Sequence, residues 1–398
     1  MPVAPGGDRG HPGEMRRLWC SALGLLMACA QEINTLEPDG GAVTDGASND
    51  LGSSVDVGPG LDVGPSPDAG PGPGDAEPTD RSPGDGGGTA RIELTQLVVP
   101  DLSNVVTAIY GRSATEVYIG TSSGRVHRYD GANWTMAWSS PTNIGIDELH
   151  GTATRFYSID RRGFWVHSGP GPTNDAVEHL GQGIGQNGFR DIDGLSDDAI
   201  FLVGDQQNGG AGFYQWNGSA LSRITVINVA ELTGVLALSP DEVLIAGTGR
   251  IYRYEGGGLT EEQVDWPPNY TATDIAYYTF HGIDRAGDRV FISAKEQAIL
   301  ERGADRIWRR VYEPGGTEPL FAIAGHPNSL GFEALAVGGN ATGVGPVLFY
   351  DGSGWRSAGV RTSYRLFDLY SPSPGLYFAG GSIQNTVEGV VLRLSVVQ

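Results

Sequence analysis

One phrase recurs seven times along this chain, and the recurrence limits the fold more than any other feature. AIYGRSATEVYIG at 108–120 reads as an apolar strand ending in Gly, a short turn and a second apolar strand. Related phrases follow as ELHGTATRFYSI, DIDGLSDDAIFLVG, GVLALSPDEVLIAG, FHGIDRAGDRVFIS, AIAGHPNSLGFEALAVG and DLYSPSPGLYFAG. Their second-strand landmarks are Tyr118, Tyr157, Phe201, Leu244, Phe291, Leu335 and Phe378, spaced 39, 44, 43, 47, 44 and 43 residues apart. A unit of that length holds about four short strands and cannot cover its own apolar faces, so neighbouring units must stack. A sparser phrase marks the other half of the unit. YDGANW at 129–134 and YDGSGW at 350–355 lie 221 residues apart, which is five periods, and worn versions stand as YQWNGSAL, YRYEGGGL and LERGADRIW. Asp-Gly favours a tight hairpin turn, so the Tyr ends a third strand, the Trp opens a fourth, and both aromatics are expected to pack between units.

Seven units of four strands predict an all-β fold, a seven-bladed β-propeller over residues 91–398. The 62 glycines suit its many turns. The ends of the repeat region fit a closed ring. The seventh unit supplies strands near Tyr364–Tyr370, Leu376–Gly380 and Gly389–Leu394, and its fourth strand is missing. ARIELTQLVV, upstream of the first unit, alternates apolar Ile92 and Leu94 with polar Glu93 and Thr95. It is expected to complete blade seven and remove an exposed sheet edge. Blade six, with Gly338-Gly339, Tyr350 and Trp355, is similar to a kelch repeat. Asp-box repeats read Ser-x-Asp-x-Gly-x-x-Trp, whereas Asp and Gly are adjacent here. In architecture the region resembles the secreted bacterial propellers of these groups.

The region before the repeats has a different composition. From Met15, the expected start, MRRLWCSALGLLMACAQE joins basic Arg16 and Arg17 to an eleven-residue apolar run, Leu18 to Ala28. The run is too short to span a bilayer as a helix and matches a secretory signal. Leu26-Met27-Ala28-Cys29 resembles the lipobox of bacterial lipoproteins. The resemblance implies cleavage before Cys29, acylation there as the anchor, and, with Ala30 following, outer-membrane or cell-surface sorting. Residues 1–29 are therefore assigned as the lipoprotein signal. Residues 30–90 hold fourteen Gly, eight Pro, no aromatic residue, and twelve Asp or Glu against the single Arg81. Such a segment cannot bury enough apolar area to order itself and is expected to be a disordered acidic linker. It carries about half of the net charge of −21. That charge argues against nucleic acid as a partner. The two cysteines, Cys20 and Cys29, both precede the repeats, so no disulfide framework is expected in the propeller.

First strands line a propeller's channel, so their polar residues are the site candidates. Aligned on Ile109, Leu149, Ile192, Val235, Phe280, Ile323 and Leu369, they offer Glu148, His150, Asp191, Asp193, His281 and Asp368. Glu148, His150, Asp191 and Asp193 come from adjacent blades and are able to hold a cation or polar ligand jointly; a hydrated channel without ligand is the other reading. No cofactor is expected beyond such a cation. GQGIGQNG at 181–188 has dinucleotide-loop spacing but precedes a blade, and DIDGLSDD aligns with plain hairpins rather than a calcium loop. The expected protein is a monomeric surface lipoprotein whose propeller binds protein or glycan without catalysis. The alternative is a carbohydrate-active hydrolase or lyase, for which the channel carboxyls could supply an acid–base pair. No nucleophile motif or channel-facing arginine triad is evident.

Overall fold

The computed structural model describes residues 91–179, 184–206, 211–326, 333–340, 345–383 and 386–397. The expected signal, the lipobox-like stretch ending at Cys29 and the expected acidic linker lie outside them. The described strands form seven four-stranded antiparallel sheets. Six are consecutive meanders, beginning with the inner strands Val106–Ser113, Ile146–Gly151, Ile184–Ser196, Leu232–Ser239, Phe280–Ala286 and Leu320–Gly325. The seventh takes Tyr364–Ser373, Leu376–Ile383 and Gly389–Val397 from the end of the chain and Arg91–Leu97 from before blade one. Its register runs from Arg91 opposite Val397 to Leu97 opposite Val391. The expected closure is present, and Ile92 is buried in the core shared by blades six and seven.

The Tyr-Asp-Gly-x-x-Trp phrase is a turn with its own fastening. In blade one, Tyr129 pairs with Trp134 across the hairpin, their rings 5.0 Å apart. Asp130 Oδ1 accepts the amides of Ala132 (2.9 Å) and Asn133 (2.7 Å), and the Tyr129 hydroxyl donates to the Gly131 carbonyl (2.7 Å). Gly131 has φ 97°, a value that a side chain would strain. Blade six repeats this, with Asp351 accepting Ser353 and Gly354 and with Gly352 at φ 90°. In blade three Asn217 does the work of the Asp. The aromatics pack on the second-strand landmark of the preceding blade, Tyr129 near Phe378 and Trp355 near Phe291. The landmarks are thus the seats into which the next blade fits.

One excursion interrupts the ring. Between blades four and five the chain forms a short helix, Ala272–Ala276, capped reciprocally by Thr271 and Asp274. Val264 bridges Trp308 on the outer strand of blade five, so the excursion lies along that blade.

Candidate functional site

Each inner strand carries a β-bulge at the same point. The register shifts between Val106 and Ala108, Ile146 and Glu148, Phe189 and Asp191, Leu232 and Gly234, Phe280 and Ile283, Leu320 and Ala322, and Leu366 and Asp368. The residue three places after each of these first members is the apolar column. It reads Ile109, Leu149, Ile192, Val235, Ile283, Ile323 and Leu369, all buried. Blade five corrects the sequence alignment. Its hairpin closes on Gly287 and Asp288, between the paired Ala286 and Arg289, without the second register shift that blades one, three, four and seven carry beside their two-residue turns. The register places Ile283 rather than Phe280 in the column and Asp284 rather than His281 opposite the landmark Phe291. His281 instead sits at the bulge, three residues nearer the start of the strand than Asp284.

The flanking carboxylates have a structural task that explains their positions. An innermost strand presents unpaired backbone amides along its channel edge, and such orphan donors need acceptors. Asp191 Oδ1 accepts its neighbour Ile192 N (2.8 Å), while Oδ2 accepts Val235 N of the next blade (2.7 Å). Asp368 does the same with Leu369 N (2.7 Å) and, across the closing seam, Ile109 N (2.5 Å). Asp284 joins Arg285 N (2.7 Å) to Gly325 N (3.1 Å), and Asp193 reaches Ala237 N (2.8 Å). Thr107 and Thr233 fasten two further junctions by donating to the Ile146 and Phe280 carbonyls.

These groups sit deep in the fold, and burial dominates their protonation. Asp191 is pushed up to about 8, and Asp284 and Asp368 each to about 7, against the pull of the amides they hold. Glu148 is raised by burial and then by Asp368 and Asp191. It bonds Leu149 N (2.9 Å) and shares a side-chain hydrogen bond with Asp368. His150 Nδ1 lies 3.7 Å from Asp193 Oδ1, but burial holds the imidazole below its ordinary pKa, and its Nε2 is buried without a hydrogen bond. The structure therefore brings Glu148, Asp191 and Asp368 together, and separately His150 with Asp193. His281 belongs to neither set. Among the described residues, no group of three or more His, Cys, Asp or Glu is arranged to hold a metal ion.

Beyond the column, at the C-terminal ends of the inner strands, a cavity of about 410 Å³ opens. Asp193, Asp284, Arg112, Arg285, Leu236 and Tyr370 contribute to its lining. Arg112 is committed to the first turn of blade two, where it donates to the carbonyls of Thr152, Ala153 and Arg155. Arg285 is not so engaged. Its charge acts on Asp193 and Asp284 with no ion pair among the described residues, and the residue lines the cavity. Asp284, Arg112 and Arg285 were not among the sequence candidates. The Asp284-Arg285 pair follows Ile283 directly, and the spacing to the landmark was the signal that would have aligned it, since Ile283 lies 8 residues before Phe291 as Leu149 does before Tyr157.

No family model matches the chain, and no curated protein matches it. Solved structures share its fold. A catalytically inactive virginiamycin B lyase from Staphylococcus aureus with quinupristin aligns over 77% of this chain and 100% of its own, with TM-score 0.59 and 10% identity. YCF48 bound to D1 peptide aligns over 77% and 96%, with TM-score 0.55 and 13% identity. The extracellular domain of BT4673 from B. thetaiotaomicron aligns over 75% of this chain and 39% of its own, with TM-score 0.54 and 13% identity. At such identities the likeness is one of fold alone.

Proposed function

We propose that this chain is a surface-anchored, non-catalytic binding module that takes a polar protein or glycan ligand in the 410 Å³ cavity. The observation that carries this reading is the use made of the carboxylates. A hydrolase needs two carboxyl groups free to meet substrate. Here Asp191, Asp193, Asp284 and Asp368 each hold a backbone amide of the following blade. What remains for a ligand is a concave mouth with Arg285 donors, partly engaged carboxyls and the apolar flank of Leu236, the mixture by which binding pockets orient polar groups. Acylation at Cys29 would hold the monomeric module at the outer membrane or cell surface, with 30–90 as its tether, and nucleic acid is not among its partners. Among the described residues no helix is long and apolar enough to cross a membrane. The similar folds include a peptide-bound protein and a lyase, so fold likeness does not choose between binding and catalysis.

The second reading, a carbohydrate-active hydrolase or lyase, rests on Asp284. A cavity carboxyl raised to about 7 retains protons near neutral pH, as a general acid must. Glycan and peptide arrays probed with wild type and Arg285→Ala, beside a panel of chromogenic glycosides and polysaccharides, separate the two. Binding that Arg285→Ala weakens at least tenfold, without turnover, supports the module. Turnover that Asp284→Asn abolishes supports the enzyme.

A further inference from the structure

The end of the channel opposite the cavity has different chemistry. His281, Phe321 and Phe367 occupy the bulge positions of three successive blades. The rings of His281 and Phe321 are 5.2 Å apart, and those of Phe321 and Phe367 are 5.5 Å apart. Arg365, two residues before Phe367 on the same strand, lays its guanidinium over both phenyl rings, with Cζ 5.0 and 4.9 Å from their centroids. Among the described residues the guanidinium makes no ion pair or hydrogen bond, and its Nε is buried without a partner.

Taking a guanidinium out of water is costly unless something compensates it. Cation–π contact with two rings returns only part of that cost. Burial accordingly pulls Arg365 down to about 10. The charged groups acting on His281 are Arg365 and Lys295, both cationic, and after burial they help to hold it down to about 4. With both ring centroids within about 5 Å of Cζ and 5.5 Å of each other, the rings lie to one side of the guanidinium, whose planar fork of donors is the group by which Arg takes a carboxylate with two parallel bonds.

We propose that Arg365, His281, Phe321 and Phe367 form an anion site that binds a monoanionic carboxylate carried on an apolar body. Arg365 grips the carboxylate edge-on, the His281 ring borders it, and the phenyl rings flank the attached apolar group. A monoanion matches the single guanidinium beside a neutral imidazole, whereas phosphate carries more charge than the site neutralises. This site is distinct from the cavity at the other mouth and stands whether or not that cavity binds.

The test titrates the full-length chain with benzoate, acetate and inorganic phosphate at pH 7 and matched ionic strength, followed by calorimetry. Arg365→Met, which keeps the packing on both rings, and Arg365→Lys, which keeps the charge, are run in parallel with their melting curves. Saturable benzoate binding, weakened at least tenfold by Arg365→Met and also weakened by Arg365→Lys, is the expected result. Absence of saturable benzoate binding, phosphate binding as tight as benzoate, or unchanged affinity in Arg365→Met would overturn the assignment. If Arg365→Met does not fold, the titration of His281 in wild type decides by NMR. Saturating benzoate should raise its pKa by screening Arg365, and an unmoved His281 contradicts the site.

Discussion

Asp191 joins two strands that belong to different blades, and its value to the fold is open to measurement. Replacing it with Ala leaves Ile192 N and Val235 N without their acceptor, a loss of about 1–3 kcal/mol for each amide left unsatisfied. Asn retains one acceptor oxygen and should cost less, and denaturant melts of the two variants measure the difference. The pH dependence follows from the same burial. Asp191, Asp284 and Asp368 bind protons more tightly folded than unfolded, so the stability they contribute is complete below pH 4 and is lost as pH rises through 7 to 8. His167 and His281, both held down to about 4, act oppositely but only below about 6.5, where the unfolded imidazole takes up protons. Above pH 7 the carboxyls act alone. The melting temperature should therefore fall between pH 7 and 9, with about 1 kcal/mol coming from Asp191. Asp191→Asn should flatten that fall, and a melting temperature that rises over this interval contradicts the protonated channel.

At the scale of strands, the closing segment is the most exposed point of the design. Arg91–Leu97 supplies the whole outer strand of blade seven and covers Val391, Leu392 and Leu394. Deleting residues 86–98 should abolish cooperative unfolding and expose an edge that pairs with other chains, visible as aggregation in light scattering. Deleting the longer 30–85 should leave the melting transition nearly unchanged, because a Gly/Pro-rich acidic segment has little apolar surface to dock. Retained cooperative melting without 86–98 would mean that the seam is held elsewhere. Much of this level was legible in the sequence. The landmark period, the Asp-Gly turns and the amphipathic Ile92–Leu94 segment are local patterns, and they led to the blade count and the closure. The bulges were not legible, since one extra residue in a strand leaves no mark in composition. Blade five shows the consequence, where reading the hairpin three residues too long put His281 in the place of Asp284. Nor does a sequence reveal that a channel carboxylate is spent on the next blade's amide, since that contact depends on two strands about 44 residues apart.

For the whole molecule, location and ligand are separate questions. Cys29→Ser should move the protein from the membrane fraction to the soluble one, read by fractionation and blotting, since the proposed acylation anchors the chain through that sulfur. Persistence with membranes would point to another attachment. The deeper claim is that the propeller's inner carboxyls close the ring and leave the cavity to bind without chemistry. The most direct measurement recovers each array-selected ligand after prolonged incubation with wild type and with Arg285→Ala, and weighs it by mass spectrometry. Ligand returned at unchanged mass, with binding lost in Arg285→Ala, is the predicted result; a cleaved or eliminated product formed by wild type and absent with Asp284→Asn would contradict it.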